Sequence, residues 1–236
     1  MPIDDDLFQR LRQAQRQDLI LLLADLKVTA KGVEKMSKGT LMRLVSKELR
    51  SVAGNSLLNP FRGVHDLPYR RILVDVADKL TAGRLKWSPY RASGLESPAE
   101  IENYIAERID ARTAELYAAM SDDDKRKLQD SLTADMRSRG LPEAVIRATM
   151  TAMSSGVISG VTLGPVVASL LFGGLWTTIF GLSVAQLVLG GIAAGGPAGL
   201  ALAAVAIATS PSYSKTIPAV YRLTLIRRSA EARSSL

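Results

Sequence analysis

The chain has no cysteine and only one histidine, His65. Without thiols there is no disulfide framework, no thiolate metal site and no cysteine nucleophile. A single imidazole cannot supply a multi-histidine zinc site, paired Glu-x-x-His di-iron ligands or a Cys–His dyad. His65-Asp66 matches metal phosphohydrolases in that dipeptide alone, and it reads as a loop histidine ahead of a helix start. No catalytic residue, metal ligand, cofactor or small-molecule substrate site is therefore expected, and a non-enzymatic protein is the reading.

Charge is the second absence. Between Arg147 and Lys215 there is no Asp, Glu, Lys, Arg or His for 67 residues, in a chain that is 22% charged. Helices of a soluble domain normally carry a wet, charged face. A stretch this long has room for two bilayer passes of about 20 residues each. It also holds 11 of the 18 glycines. Gly156, Gly160 and Gly164 are spaced by four, as are Gly191, Gly195 and Gly199, so each set lines one helix face and permits close backbone approach. The layout expected is a hairpin, with arms over about 161–180 and 187–208 and a bend near 181–186. Its second arm is richer in Ala and Gly than in Leu, which makes the insertion drive marginal.

The remaining charge divides unevenly. Residues 1–147 carry 25 basic and 22 acidic side chains, a mixed surface suited to a soluble helical body. Residues 215–236 carry five basic side chains against Glu231 alone, so the net +7 splits into +3 and +4. A basic segment after an apolar one suits the cytoplasmic side of a membrane. On that basis Lys215, Arg222, Arg227 and Arg228 are candidate contacts to anionic lipid. The start, Met1-Pro2-Ile3-Asp4-Asp5-Asp6, is acidic where a secretory signal is basic and then apolar. Export by an N-terminal signal is not expected.

Within the body the apolar spacing is helical throughout, and no alternating strand pattern occurs. Residues 4–26 read as one helix on Phe8, Leu11, Leu19, Leu22 and Leu26, punctuated by Gly32. A second amphipathic helix spans 38–52. Pro68 opens a third through Leu80, with Ile72, Leu73 and Val76 in its stripe. Ser97-Pro98-Ala99-Glu100 is a strong helix start: Ser as cap, Pro at the first position, Glu three residues on. The helix that follows turns Ile101, Ile105, Ile109 and Leu116 inward, while Glu100, Glu102, Glu107 and Asp110 read as its solvated face. Ser121 with Asp122–Asp124 caps another helix, ended by Gly140, and a short one spans 141–151. A last helix opens at Thr216-Ile217-Pro218, and it reads equally as a terminal helix docked on the body or as an interfacial anchor with its arginines on lipid phosphates. The basic run of 62–91, with Arg62, Arg70, Arg71, Lys79, Arg84, Lys86 and Arg91, reads as a scattered cationic surface. Anionic lipid is its next occupant and nucleic acid the least favoured.

Two blocks carry a resemblance. The first is Gly54, Ser56, Asn59, Arg62 and Gly63, followed by Tyr69-Arg70, Ile72-Leu73, Asp75-Val76 and Leu80. The second is Tyr213 with Thr216-Ile217-Pro218-Ala219-Val220, ending in Arg227-Arg228. Together with Gly195-Gly196-Pro197-Ala198-Gly199 and the Asp5-Asp6-Leu7 start, the chain resembles the YaaW-type family of uncharacterised bacterial proteins. That family is grouped distantly with ubiquinol–cytochrome c assembly chaperones. The resemblance implies an α-helical body and work at membrane complexes, and it brings no catalytic residue.

The expectation is an all-α protein with three parts: an amphipathic helical body over 1–147, an apolar Gly-rich hairpin over 148–214 and a basic C-terminal helix over 215–236. It is expected at the cytoplasmic face of the bacterial inner membrane, where the hairpin inserts or forms homo-oligomers in a pore-forming, stress or defence role. The alternative is a soluble assembly chaperone for apolar segments of membrane-complex subunits.

Overall fold

A computed structural model describes residues 6–29, 31–54, 67–80, 97–138, 141–156 and 213–234. The protein is all-α, and no strand occurs among the described residues. The helices are α1 (Asp6–Gln13), α2 (Arg16–Asp25), α3 (Lys38–Ala53), α4 (Tyr69–Leu80), α5 (Pro98–Ala119), α6 (Asp122–Ser138), α7 (Glu143–Ser154) and α8 (Tyr213–Ser234), with a short 3-10 turn at Val33–Lys35.

The first stretch is two helices where one was expected. The chain breaks at Ala14–Gln15, and Gln15 takes an extended conformation as the cap of α2. The Asp18 carboxylate accepts the Gln15 N–H at 2.8 Å, which satisfies a donor that an uninterrupted helix would have used itself. The break lets α2 bury Leu19, Leu21, Leu22 and Leu23 around most of its circumference. Its far end is a Schellman motif: Val28 N–H reaches the Leu23 carbonyl and Lys27 N–H the Ala24 carbonyl, each at 2.9 Å. The left-handed residue there is Lys27, at φ 55°, and not the Gly32 that was expected to end the segment.

Local signals elsewhere place the helices well. Ser37 Oγ accepts Thr40 N–H at the start of α3. Ser97 and Glu100 form the reciprocal capping box of α5, with Pro98 in its first turn. Ser121 Oγ accepts Asp124 N–H at 3.2 Å, and the three aspartates fill the first turn of α6. The last helix differs, since it begins at Tyr213 and encloses Pro218. Proline lacks the N–H that would serve the carbonyl four residues back. Thr216, Ile217, Ala219 and Val220 are nevertheless all buried, so packing holds the turn that proline weakens.

Two apolar clusters share one spine. The larger gathers Leu7 and Leu11, the leucines of α2, Leu41, Val45 and Leu49 of α3, Tyr69, Ile72, Leu73 and Val76 of α4, Ile101, Ile105 and Ile109 of α5, and the α8 stripe. The smaller joins Tyr117 at the end of α5 to Leu132 and Met136 of α6 and to Ile146 and Met153 of α7. Helix α5, at 22 residues, runs through both. The charge-free stretch thus begins inside α7, whose Thr149 and Met153 are buried, and it ends inside α8. The boundaries expected at 147–148 and 214–215 therefore fall within helices of the body.

Contacts fix the directions. Arg227 reaches the Ala99 carbonyl and Glu102 near the start of α5, while Tyr221 reaches Asp110 two turns further on. Helices α5 and α8 are therefore antiparallel, and Tyr213 lies toward the C-terminal end of α5. Helix α4 runs parallel to α5: Tyr69 meets Glu102, and Lys79 stacks over the Tyr213 ring at 5.4 Å. Gly156, past the end of α7, lines a cleft with Ala114, Tyr117 and Ala118 of α5. Residues 156 and 213 both lie at this pole.

Candidate functional site: a buried arginine–carboxylate network

At the opposite pole, Glu102 is fully buried between three donors. Its Oε1 accepts Arg10 Nε–H at 3.0 Å and the Tyr69 hydroxyl at 2.9 Å. Its Oε2 accepts Arg227 Nε–H at 2.5 Å. Arg227 in turn donates through Nη1 to both oxygens of Glu231, at 2.8 and 2.7 Å, and through Nη2 to Asn103 Oδ1. Arg228 Nε–H reaches the same Asn103 oxygen at 3.1 Å. Arg10 and Arg227 thus each pair with one oxygen of the buried Glu102, which is how a charge persists in a low-dielectric interior.

The electrostatics follow from that enclosure. Burial pushes the Tyr69 phenol well above its ordinary value, and the Glu102 charge beside it pushes the same way. Burial alone would lower the Arg227 guanidinium. Hydrogen bonds to Glu231 and Glu102, and their charges, outweigh it and hold the pKa above the ordinary arginine value. A second pair fastens α8 to α2: Arg222 Nε–H and Nη2–H meet the Asp25 carboxylate oxygens at 2.5 and 3.1 Å, in a bidentate fork. These bonds join α1, α2, α4, α5 and α8.

Several expectations change here. Glu102 does not belong to a solvated face. Arg222 and Arg227 are each 3% exposed and committed to carboxylates, so their guanidinium groups do not face lipid in this arrangement. The reason is that Asp25 and Glu102 draw them into the body. Arg228 and Lys215 are half-buried. Gly156 adopts φ 78° and ends α7, and among the described residues nothing stands within 4 Å of where its Cβ would be. Gly160, Gly164, Gly191, Gly195 and Gly199 lie outside the described residues, as do Ser56, Asn59, Arg62, Gly63 and His65.

The described residues of the resembling blocks have structural places. Tyr69 joins the network. Gly54 caps α3, and a Cβ there would stand 2.9 Å from the Arg50 carbonyl oxygen. Arg70 is exposed. Asp75 pairs with Arg71 at 3.2 Å, and its carboxyl is raised chiefly by burial, against the pull of Arg71. Thr216 and Ile217 are core, and Pro218 is half-buried. One signal for Glu102 was present in the sequence: positions 102, 105, 106, 109 and 113 share one helix face, and all five are buried.

Among the described residues no group of three His, Cys, Asp or Glu side chains is placed to hold a metal ion. Both oxygens of Glu102 accept hydrogen bonds from within the protein, and what the network does chemically is fix which helices meet. An all-helical body cross-braced by buried arginine–carboxylate pairs defines the class.

The chain belongs to the YaaW-type family, UPF0174. It is 31% identical over 195 residues to the UPF0174 protein YaaW of Escherichia coli O157:H7, covering 80% of this chain and 72% of that protein. No family model and no solved structure matches it.

Proposed function

We infer that this is a membrane-associated helical protein in which the braced body holds a charge-free segment against a bilayer, where it inserts or oligomerises. The observation that carries the reading is the shared pole of residues 156 and 213. A segment leaving and returning at one pole suits a hairpin, with an even number of crossings and both flanks on one side. Its lack of any Asp, Glu, Lys, Arg or His over 67 residues removes the main cost of entering hydrocarbon. No helix among the described residues is long and apolar enough to cross a membrane, and the reading assigns insertion to residues 157–212. The cytoplasmic face of the inner membrane suits a body of mixed charge with the basic Lys215 at the exit.

Fractionation tests this. After carbonate and high-salt washes the protein should remain in the membrane pellet and need detergent for release. Quantitative recovery as a soluble monomer would remove the hairpin reading. Leu in place of Gly160 or Gly195 should disturb assembly, because it blocks close helix approach.

A further inference from the structure

With Arg222 and Arg227 withdrawn into the body, two other cations stand together at a cleft. A cleft of about 500 Å³ opens where the end of α5, the first turns of α6 and the end of α7 converge. Two alanines and Met153 form its apolar lining. Lys125 and Arg126 project from α6 into its wall.

Lys125 is loosely held: its Nζ is 3.5 Å from the Ala118 carbonyl, 3.9 Å from Asp122 and 5.6 Å from the centre of the Tyr117 ring. Arg126 is exposed, and no hydrogen bond or ion pair engages it among the described residues. Gln129 donates its amide to the Tyr117 hydroxyl at 2.9 Å and to Ser154 Oγ at 3.4 Å. Both hydroxyl oxygens act as acceptors there, so both hydroxyl protons remain to be donated. The cleft thus offers two cations and two O–H donors against one carboxylate, Asp122, whose side chain is 89% exposed at the rim. That complement fits a phosphate.

We propose that this cleft binds the phosphate of an anionic lipid headgroup. The inference rests on the membrane reading above and names the contact that seats the body. Position selects the lipid source. Gly156 is part of the cleft wall, so the charge-free segment departs from the site itself. A headgroup bound there sits where a hairpin would enter the bilayer, with no rearrangement of α8.

Sedimentation of the full chain with phosphatidylcholine vesicles, with and without phosphatidylglycerol, tests the proposal. The wild type should prefer the anionic vesicles. Lys125→Gln with Arg126→Gln should weaken that preference about fivefold per cation removed, equivalent to about 1 kcal/mol for each basic side chain near an anionic leaflet. The same charge loss on α3, with Arg43→Gln and Lys47→Gln, should leave it largely intact. Equal losses from the two pairs would overturn the cleft in favour of net charge. Displacement by millimolar inorganic phosphate at constant ionic strength would overturn the headgroup in favour of a free-phosphate site. Carbonate extraction of the wild type separates the two claims. A resistant wild type with an ineffective cleft pair loses the cleft alone, whereas an extractable wild type loses the hairpin.

Discussion

Arg227 donates its Nε–H to Glu102 Oε2 across 2.5 Å, with the two side chains 4% and 0% exposed and 125 residues apart in sequence. This bond fastens the helix that follows the charge-free segment to a helix that precedes it, because α8 docks back on α5. The charge-free stretch is therefore tethered at both ends, and its basic exit is largely a set of internal ties.

Removing Glu102 should be the most damaging single change in the network. Glu102→Ala leaves Arg10 and Arg227 facing each other with one buried acceptor gone, and uncompensated buried charge costs about 3–5 kcal/mol. Urea unfolding should show a lower midpoint at an unchanged slope. A loss below about 1 kcal/mol would mean that water reaches the site as it does surface pairs.

Lys27 supplies a stabilising prediction. It holds φ 55° at the left-handed position of the Schellman motif, a place that glycine takes without steric conflict. Left-handed backbone costs a residue with a Cβ roughly 1–2 kcal/mol, part of which glycine returns through unfolded-state entropy. Lys27→Gly should raise stability by about 0.5–1 kcal/mol in thermal or urea unfolding.

Much of the helical frame was legible because its determinants are local. Ser97-Pro98-Ala99-Glu100 and Ser121 with its three aspartates describe their own caps within one turn. The break at Gln15 was not legible, since Leu11 and Leu19 satisfy a helical spacing whether or not the chain bends between them. Tyr213 as a helix start was hidden by Pro218, which normally marks a first turn. The network was the largest miss. Arg227 sits four residues from Glu231, a spacing that also describes an ordinary surface pair. Only the return of α8 to α5 makes it a buried cross-link.

Alkaline pH should destabilise the fold through its tyrosines. Tyr69 is raised well above 10, and Tyr213, outside the proposed arms and docked beside Asp75 and Asp78, is pushed up to about 12, chiefly by burial. Both are neutral in the folded state. Above their unfolded value near 10 the unfolded chain ionises first, so stability falls as pH rises from about 10 toward 12. Tyr213→Phe should flatten part of that fall, and absorbance at alkaline pH should show late-titrating phenols only while the protein is folded.

The two arginines of α8 should differ in what their removal costs. Arg222→Met abandons Asp25, whose side chain is 15% exposed and can regain water once the fork is gone. Arg227→Met abandons Glu102, which is fully buried and left with Arg10 and Tyr69. The first change should cost about 1–3 kcal/mol, the scale of a hydrogen-bonded charge with partial access to water. The second should approach the full burial penalty of about 3–5 kcal/mol. Pairing Arg222→Met with Asp25→Leu should recover most of the smaller loss, since apolar replacement of both partners removes the stranded charge. A double variant as weak as Arg222→Met alone would show that α8 depends on the fork itself to find its register on α2.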